Sequence, residues 1–468
     1  MTPDANDLCV FAVRRGNIQA RFDVRNTYYI HSSAEEGLIK VSLGELTVEE
    51  PCYGTSASAI KRTGEDQPKY IRITDFDDYG IPEGHEYMTA EEYSIKHLLQ
   101  PGDILFARTG GTVGKTYYYD GSIGNAVFAG YCIRFRFDES KVLPKFVYWY
   151  TKTDEYVSWV KGIQRPSGQP NINKEEYKSF RITLPDLPTQ KKLVEQIEKI
   201  QQEQNQKLHE ANALLRENPT YLLQRLGLKF SFANSEFIYG TKLNRIDGRL
   251  DADYYSPKFA HFRKQIGELP YSTVSIHDIA DRIVTGFAAG KQDQADNLPE
   301  EKRVPHLRPF SVTTEGELSF DTKKYVPNEN LKPDDYCKKG EIIFNNTNSP
   351  DLVGKTTVFD SDVLCATSNH MTRITVKEEV NPYYVASFFN LLLSIGYWKL
   401  LCTNFNNQAG VNTETLKKVR IPLPEKAIQD QIAAELMQRR SQANTLRKEA
   451  QAEWKAAKQQ FERGLLGE

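Results

Sequence analysis

Cysteine is scarce in this chain, and the six that occur stand far apart, at positions 9, 52, 132, 337, 365 and 402. No C-x-x-C pair exists, which removes zinc-ribbon and dithiol redox readings, and no signal peptide precedes Cys9. A reducing, cytoplasmic setting is the expectation. Long apolar runs are missing as well. The most apolar stretch, Val385 to Leu401, is interrupted by Ser387, Asn390, Ser394 and Lys399 and is too short to cross a bilayer, so it reads as a buried helix and no membrane is expected.

An excess of one charge is also lacking: 60 Lys and Arg stand against 62 Asp and Glu, for a net charge of -2. This argues against a protein that simply coats DNA, which needs cations in surplus. It leaves room for a locally basic face, or for phosphate contacts supplied by a partner. The eight histidines form no H-E-x-x-H or H-x-H pattern, and no cysteine lies at metal-ligand spacing from them. Acidic pairs such as Glu35-Glu36, Asp77-Asp78, Glu91-Glu92 and Asp334-Asp335 have no companion pattern for metal-assisted hydrolysis and read as solvated loop charges. Nothing nominates a catalytic centre.

What is present is length and repetition. A chain of 468 residues exceeds what one hydrophobic core usually supports, so two domains with connecting elements are expected. Comparing the chain with itself shows a period of roughly half its length. Arg21-Phe22-Asp23 with Tyr28-Tyr29 matches Arg249-Leu250-Asp251 with Tyr254-Tyr255, and Val41-Ser42-Leu43 with Leu46 matches Val274-Ser275-Ile276 with Ile279. Ile71-Arg72 corresponds to Leu307-Arg308, and GDILFARTGGTVGKT at 102–116 to GEIIFNNTNSPDLVGKT at 340–356. The clearest block sets QPNINKEEYKSFRITLP at 169–185 over QAGVNTETLKKVRIPLP at 408–424. Blocks in the same order at nearly the same spacing mark a tandem duplication.

Each half then changes character. Residues 189–218 lack Gly and Pro until Asn218-Pro219, and place Leu193, Ile197, Ile200, Leu208, Ala211 and Leu215 near one face. The second segment places Ile428, Ile432, Leu436, Ala443, Leu446, Ala450, Trp454, Ala457, Phe461 and Leu465 at three- and four-residue steps. Both predict long amphipathic helices. Their equivalent stripes suggest pairing as an antiparallel coiled coil, and at about 1.5 Å per residue a helix of some 30 residues runs roughly 45 Å, longer than one turn of duplex DNA. Runs such as Tyr70 to Ile73, Asp103 to Ala107, Tyr131 to Phe137 and Glu341 to Phe344 read as strands, and 145–161 and 382–401 as helices, so each globular half is expected to be α+β.

Two motifs suggest enzymes. Gly110 to Thr116 approaches a phosphate-binding loop, but Thr109 stands where the first glycine belongs, and Ser349 does so in the second copy before Gly354-Lys355-Thr356. A glycine-permitted turn that presents Lys115 and Lys355 to phosphate or solvent is the alternative. Asn381-Pro382-Tyr383-Tyr384 approaches an amino-methyltransferase signature but has Tyr where Pro belongs; a helix start with Pro in its first turn accounts for it better.

Recognition chemistry remains. Polar and basic loops between the strands carry Arg72, Arg108, Thr109, Lys115, Tyr117, Gln164, Arg165 and Ser167 in the first half. In the second they carry Arg308, Asn345, Asn346, Asn348, Lys355, Asn369, Asn406, Asn407 and Gln408. Arg reads guanine edges bidentately while Asn and Gln read adenine, so the halves hold different candidate chemistries for DNA on a shared scaffold. Loop capping and turn formation are the competing role for any one of them.

Two copies of G-[DE]-I-[LI]-F before a Gly-Lys turn, then Q-x-x-[IV]-N and [RK]-I-x-L-P leading into a long helix, resemble the specificity subunit of type I restriction-modification systems. The resemblance runs from about Arg21 to Leu466. It implies two tandem-duplicated, mixed α/β target recognition domains separated by two long helices pairing as an antiparallel coiled coil. The expected divisions are 1–187 for the first such domain, 188–218 for the first helix, 219–244 for a linker, 245–424 for the second domain and 425–466 for the second helix. It further implies a non-catalytic chain that reads a split sequence in double-stranded DNA and docks methyltransferase subunits, two of them, with restriction subunits as further partners. No cofactor is expected on this chain; S-adenosylmethionine, and ATP with Mg2+, are implied for the partners. Gly102, Gly114, Lys115, Asn173, Pro185 and Gln190, with Gly340, Gly354, Lys355, Asn412, Pro424 and Gln429, match the family motif and look like scaffold positions. The rival readings are a duplicated protein-binding adaptor, or a stand-alone NTPase or methyltransferase.

Overall fold

Isoleucine, leucine and phenylalanine at 104–106 form a strand buried on both faces, and three short neighbours complete an antiparallel sheet around it. In the computed structural model, residues 39–77, 80–82, 84–163, 170–230, 240, 252–290, 294–320, 324–405 and 408–467 are described. The matched pairs that open each repeat, Arg21 to Tyr29 and Arg249 to Asp251, lie outside them. Contacts divide the chain into two units, Met1–Gln206 with Glu449–Glu468, and Lys207–Lys448.

In the first unit the sheet order is β2 (Cys52–Tyr53), β9 (Cys132–Phe135), β6 (Ile104–Ala107) and β7 (Thr116–Tyr118). β1 (Lys40–Ser42) pairs with β10 (Arg181–Thr183), β3 (Ala59–Lys61) with β5 (Met88–Ala90), and β4 (Lys69–Ile71) runs parallel to β8 (Ala126–Phe128). Helices Pro144–Tyr150, Asp154–Ile163 and Lys174–Ser179 follow. Phe106, Phe135, Tyr150, Tyr156 and Tyr177 close the core between sheet and helices.

The second unit repeats this plan. Its sheet order is β12 (Ala280–Thr285), β19 (Met371–Val376), β15 (Ile342–Asn345) and β17 (Thr356–Val358). β11 (Ser272–Ser275) pairs with β22 (Arg420–Leu423), and β13 (Arg303–Leu307) runs parallel to β18 (Ala366–Thr367) and antiparallel to β14 (Tyr325–Pro327). β16 (Thr347–Asn348) joins a hairpin of β20 (Thr403–Phe405) and β21 (Gln408–Gly410). The expected helix at 382–401 is two, Pro382–Ser394 and Tyr397–Leu401, because Gly396 turns left-handed between them. Asn381 caps the first: its side-chain oxygen accepts the amides of Tyr383 and Tyr384 at 2.8 and 3.2 Å. That settles the Asn-Pro-Tyr-Tyr segment as a helix start.

The duplication extends to single hydrogen bonds. Ala107 N donates to Lys115 O at 2.8 Å and Asn345 N to Lys355 O at 2.9 Å; Arg108 N donates to Tyr131 O and Asn346 N to His370 O, each at 3.0 Å. Asn173 and Asn412 each cap the short helix that follows, accepting from Glu176 N and Thr415 N.

Both long helices form, over Leu187–Arg216 and Lys426–Leu465. The first stops where expected, but the segment foreseen as a linker begins with a further helix, Asn218–Leu226, which has Pro219 in its first turn and ends at Gly227. In the first unit Leu193 and Ile197 share a core with Phe461 and Leu465, and Phe461 lies 5.7 Å from Phe146, ring to ring. In the second unit Asn212 accepts from Arg447 at 3.0 Å, and Gln431 accepts from Arg225 at 3.4 Å. Rising numbers on the first helix meet falling numbers on the second, so the packing is antiparallel. Among the described residues no helix is long and apolar enough to cross a membrane.

Candidate nucleic-acid interface

The strands β4, β6 and β8 of the first unit end at one rim, and their successors gather there. Arg108 leaves β6, Arg72 leaves β4, and the turn Ala129–Tyr131 links β8 to β9, tied back by Ala129 N to Ile71 O at 2.9 Å. The Arg108 guanidinium carbon stands 4.7 Å from the centre of the Tyr53 ring, a cation–π stack. Tyr53 is itself fixed, its hydroxyl accepting from Lys174 N at 3.2 Å. Beside them Tyr131 is 62% exposed. Arg72 behaves differently: its Nε and Nη2 reach the Asp75 carboxylate at 3.1 and 2.8 Å, and its backbone amide reaches the same group at 2.9 Å.

The remaining first-half candidates divide. Thr109 is buried and bridges to Asn171. Lys115 sits half-buried in the Gly-Lys turn. Tyr117 is a core residue, stacked on Phe76 at 5.7 Å, and burial pushes its phenol well above the ordinary tyrosine range. Gln164, Arg165 and Ser167 lie outside the described residues.

At the second rim the asparagines hold the turn. Asn345 Nδ2 donates to Thr347 O and His370 O at 3.0 and 3.1 Å, and Asn346 Nδ2 to Asn369 O and Thr372 Oγ1 at 3.2 and 2.9 Å. Asn348 Nδ2 donates to Asn345 Oδ1 at 2.8 Å. Lys355 is buried with Nζ donating to Pro309 O at 2.6 Å, and that burial lowers its pKa. Asn369 and Gln408 are exposed, Arg308 half-exposed. Asn406 and Asn407 lie outside the described residues. A groove of about 370 Å³ opens here, lined by Thr285, Asn346, Thr347, Thr403, Asn412 and Thr413.

The fold thus gathers Arg72, Arg108, Thr109 and Lys115 at one rim, and Arg308, Asn345, Asn346, Asn348, Lys355, Asn369 and Gln408 at its equivalent. Sequence reasoning missed Tyr53, Tyr131, Thr285 and Thr403. Tyr131 alone carried a signal, as an aromatic directly after a glycine turn between strands.

The Gly-Lys turns are packing devices. Gly114 and Gly354 take φ of +88° and +98°, and a side chain on Gly354 would meet the Trp398 ring at 2.1 Å. The amides of Val113, Gly114 and Lys115 are taken up by Gly110 O, Ala107 O and Thr112 O, so they do not converge on an anion. Among the described residues no group of three His, Cys, Asp or Glu side chains is placed to hold a metal ion.

Known proteins resemble this chain in fold and in sequence. A chain from a solved structure on the complex assembly and conformational transition of the type I R-M system superposes with a TM-score of 0.50 at 14% identity, covering 92% of this chain and 97% of that one, a likeness of fold. The putative type I restriction enzyme MjaX specificity subunit of Methanocaldococcus jannaschii is 25% identical over 210 residues, 43% of this chain and 47% of that protein. The chain therefore aligns with about half the length of this curated relative. The sequence model of one family, the type I restriction modification DNA specificity domain, matches twice, over residues 40–214 and 271–454. Two matches that together take in most of the chain, one on each copy of the duplicated plan, make this protein a member of that family.

Proposed function

We infer that this chain reads a bipartite sequence in double-stranded DNA, one block per globular half, and carries the two long helices as the platform on which methyltransferase subunits assemble. The observation that carries the reading is the pair of equivalent rims: one hydrogen-bond scaffold, repeated, presents Arg108 with Tyr in one copy and Arg308 with Thr, Asn and Gln in the other. A repeated frame with exchanged rim chemistry suits two different half-sites. Helices of 30 and 40 residues run roughly 45 and 60 Å, enough to set the gap between blocks at about a turn of DNA or more.

In this reading the chain performs no bond chemistry and binds no cofactor. S-adenosylmethionine would sit on two methyltransferase subunits, and ATP with Mg2+ on restriction subunits where these join, all in the cytoplasm. Near-neutral charge fits a reader whose phosphate contacts come largely from partners. The test is selection of bound duplexes from a random pool by the chain purified with its methyltransferase subunit. Two short blocks at a fixed gap are expected, and weak, salt-sensitive, sequence-blind binding by the chain alone. A complex that selects no sequence would favour a protein-binding adaptor instead.

A further inference from the structure

Each rim holds two equivalent positions, and the halves use them in opposite ways. The first position follows the strand that pairs in parallel: Arg72 after β4, Arg308 after β13. The second follows the central buried strand: Arg108 after β6, Asn346 after β15.

In the first half six arginines are described, at 62, 72, 108, 134, 136 and 181. Five have a guanidinium committed to the protein: Arg62 to Glu65, Arg72 to Asp75, Arg134 to Glu49, Arg136 to Asp103, and Arg181 to the Lys40 carbonyl. Arg108 is the exception. Among the described residues no carboxylate or carbonyl engages its guanidinium, its buried Nε has no acceptor, and the Tyr53 face alone orients it. A guanidinium held over a ring face, with its outer nitrogens uncommitted, is prepared for planar two-point hydrogen bonding.

In the second half the arrangement inverts. Ser311 stands where Asp75 would: Arg308 N donates to Ser311 Oγ at 3.1 Å as Arg72 N does to Asp75. A hydroxyl keeps the turn but carries neither the charge nor the second oxygen with which Asp75 holds Arg72, and among the described residues no acceptor engages the Arg308 guanidinium; its Nε too is buried without a partner. At the other position Asn346 is tied to Asn369 and Thr372. The first half therefore fixes Arg72 and leaves Arg108 available, whereas the second fixes Asn346 and leaves Arg308 available.

We propose that Arg108 and Arg308 are the guanine-reading residues of their respective half-sites, each donating bidentately to O6 and N7 of one guanine, and that the Asp75-to-Ser311 exchange decides which rim position reads. The proposal rests on the DNA-reading function inferred above. Two uncommitted guanidiniums at non-equivalent positions place the guanine differently in each block.

The experiment co-expresses the chain with its methyltransferase subunit and sequences methylated adenines in host DNA, for the wild type and for Arg108→Lys, Arg308→Lys and Ser311→Asp. Lysine keeps the charge and removes the fork. Arg108→Lys is expected to lower the preference for guanine at one position of one block by roughly 5- to 150-fold, the range of one bidentate base contact, with the other block unchanged. Arg308→Lys should do the same in the other block, and Ser311→Asp should imitate it by pinning Arg308. A split wild-type motif that all three variants retain would overturn the proposal and leave the DNA-reading function standing. So would a uniform loss of methylation with the motif unaltered, which marks a phosphate contact. A wild type that yields no split motif would instead remove the DNA-reading function itself.

Discussion

Gln190 Oε1 accepts the amide of Leu143 at 2.8 Å from a position closed to solvent, and Gln429 does the same for Asn381 at 2.9 Å. Each glutamine also donates Nε2 to the proline carbonyl that precedes its helix, Pro185 O and Pro424 O, both at 2.8 Å. One buried amide thus joins the last strand, the start of a core helix and the foot of a long helix. Replacing Gln190 by Met would strip partners from two backbone groups, at about 1–3 kcal/mol each. A fall of roughly 2–6 kcal/mol in unfolding free energy of the first half is expected by urea titration, with a like effect of Gln429→Met on the second.

Gly354→Ala is predicted to cost about 3–5 kcal/mol, since it meets a left-handed backbone and the Trp398 ring together. Gly340→Ala, at φ +85° with open space around it, bears the backbone strain alone. The difference between the two urea midpoints measures the ring contact, and equal losses would show that Trp398 yields freely.

His306 is buried and stacked on Phe287 at 4.9 Å; burial, with Arg308 beside it, lowers its pKa from the ordinary 6.5 to about 4. The unfolded chain therefore binds the proton first. Its contribution to stability is complete above pH 6.5 and declines as the pH falls toward 4, by on the order of 3 kcal/mol. His306→Phe should flatten the stability profile of the second half between those limits, as read by thermal melts at stepped pH. A profile parallel to the wild type would contradict this.

Phe461 belongs to the first unit's core, 2% exposed against Phe146, while Trp454 lies 5.7 Å from Trp149. Phe461→Ala should cost about 3–5 kcal/mol. Amide exchange should accelerate in helix Pro144–Tyr150, far away in sequence, and remain slow in β15 and β19 of the second unit.

The repeat and the long helices were legible in the sequence because they rest on order and periodicity, which survive substitution. The attachment of residues 449–467 to the first unit was not. Their apolar stripe of Trp454, Ala457, Phe461 and Leu465 points to the other long helix but not to Phe146 and Trp149, which it also meets. Rim chemistry was legible only as a set of residue types. Asn345, Asn346 and Asn348 have the composition of base readers, yet turn geometry commits their amides to carbonyls and to one another. Tyr117 lies in a short strand beside two other tyrosines, and the two-residue period does not say which ring faces inward. Arg72 and Arg108 are alike in sequence apart from one signal, the acid three residues after Arg72, which has become Ser311 after Arg308.

The central claim, that each half reads its own block of DNA, is tested most directly by exchanging residues 20–185 for those of a relative with different loops. The hybrid is co-expressed with the methyltransferase subunit, and methylated adenines are sequenced in the host DNA. A split motif in which one block changes while the other block and the gap persist is the predicted result. A motif that changes in both blocks, or that stays the same in both, would contradict the account.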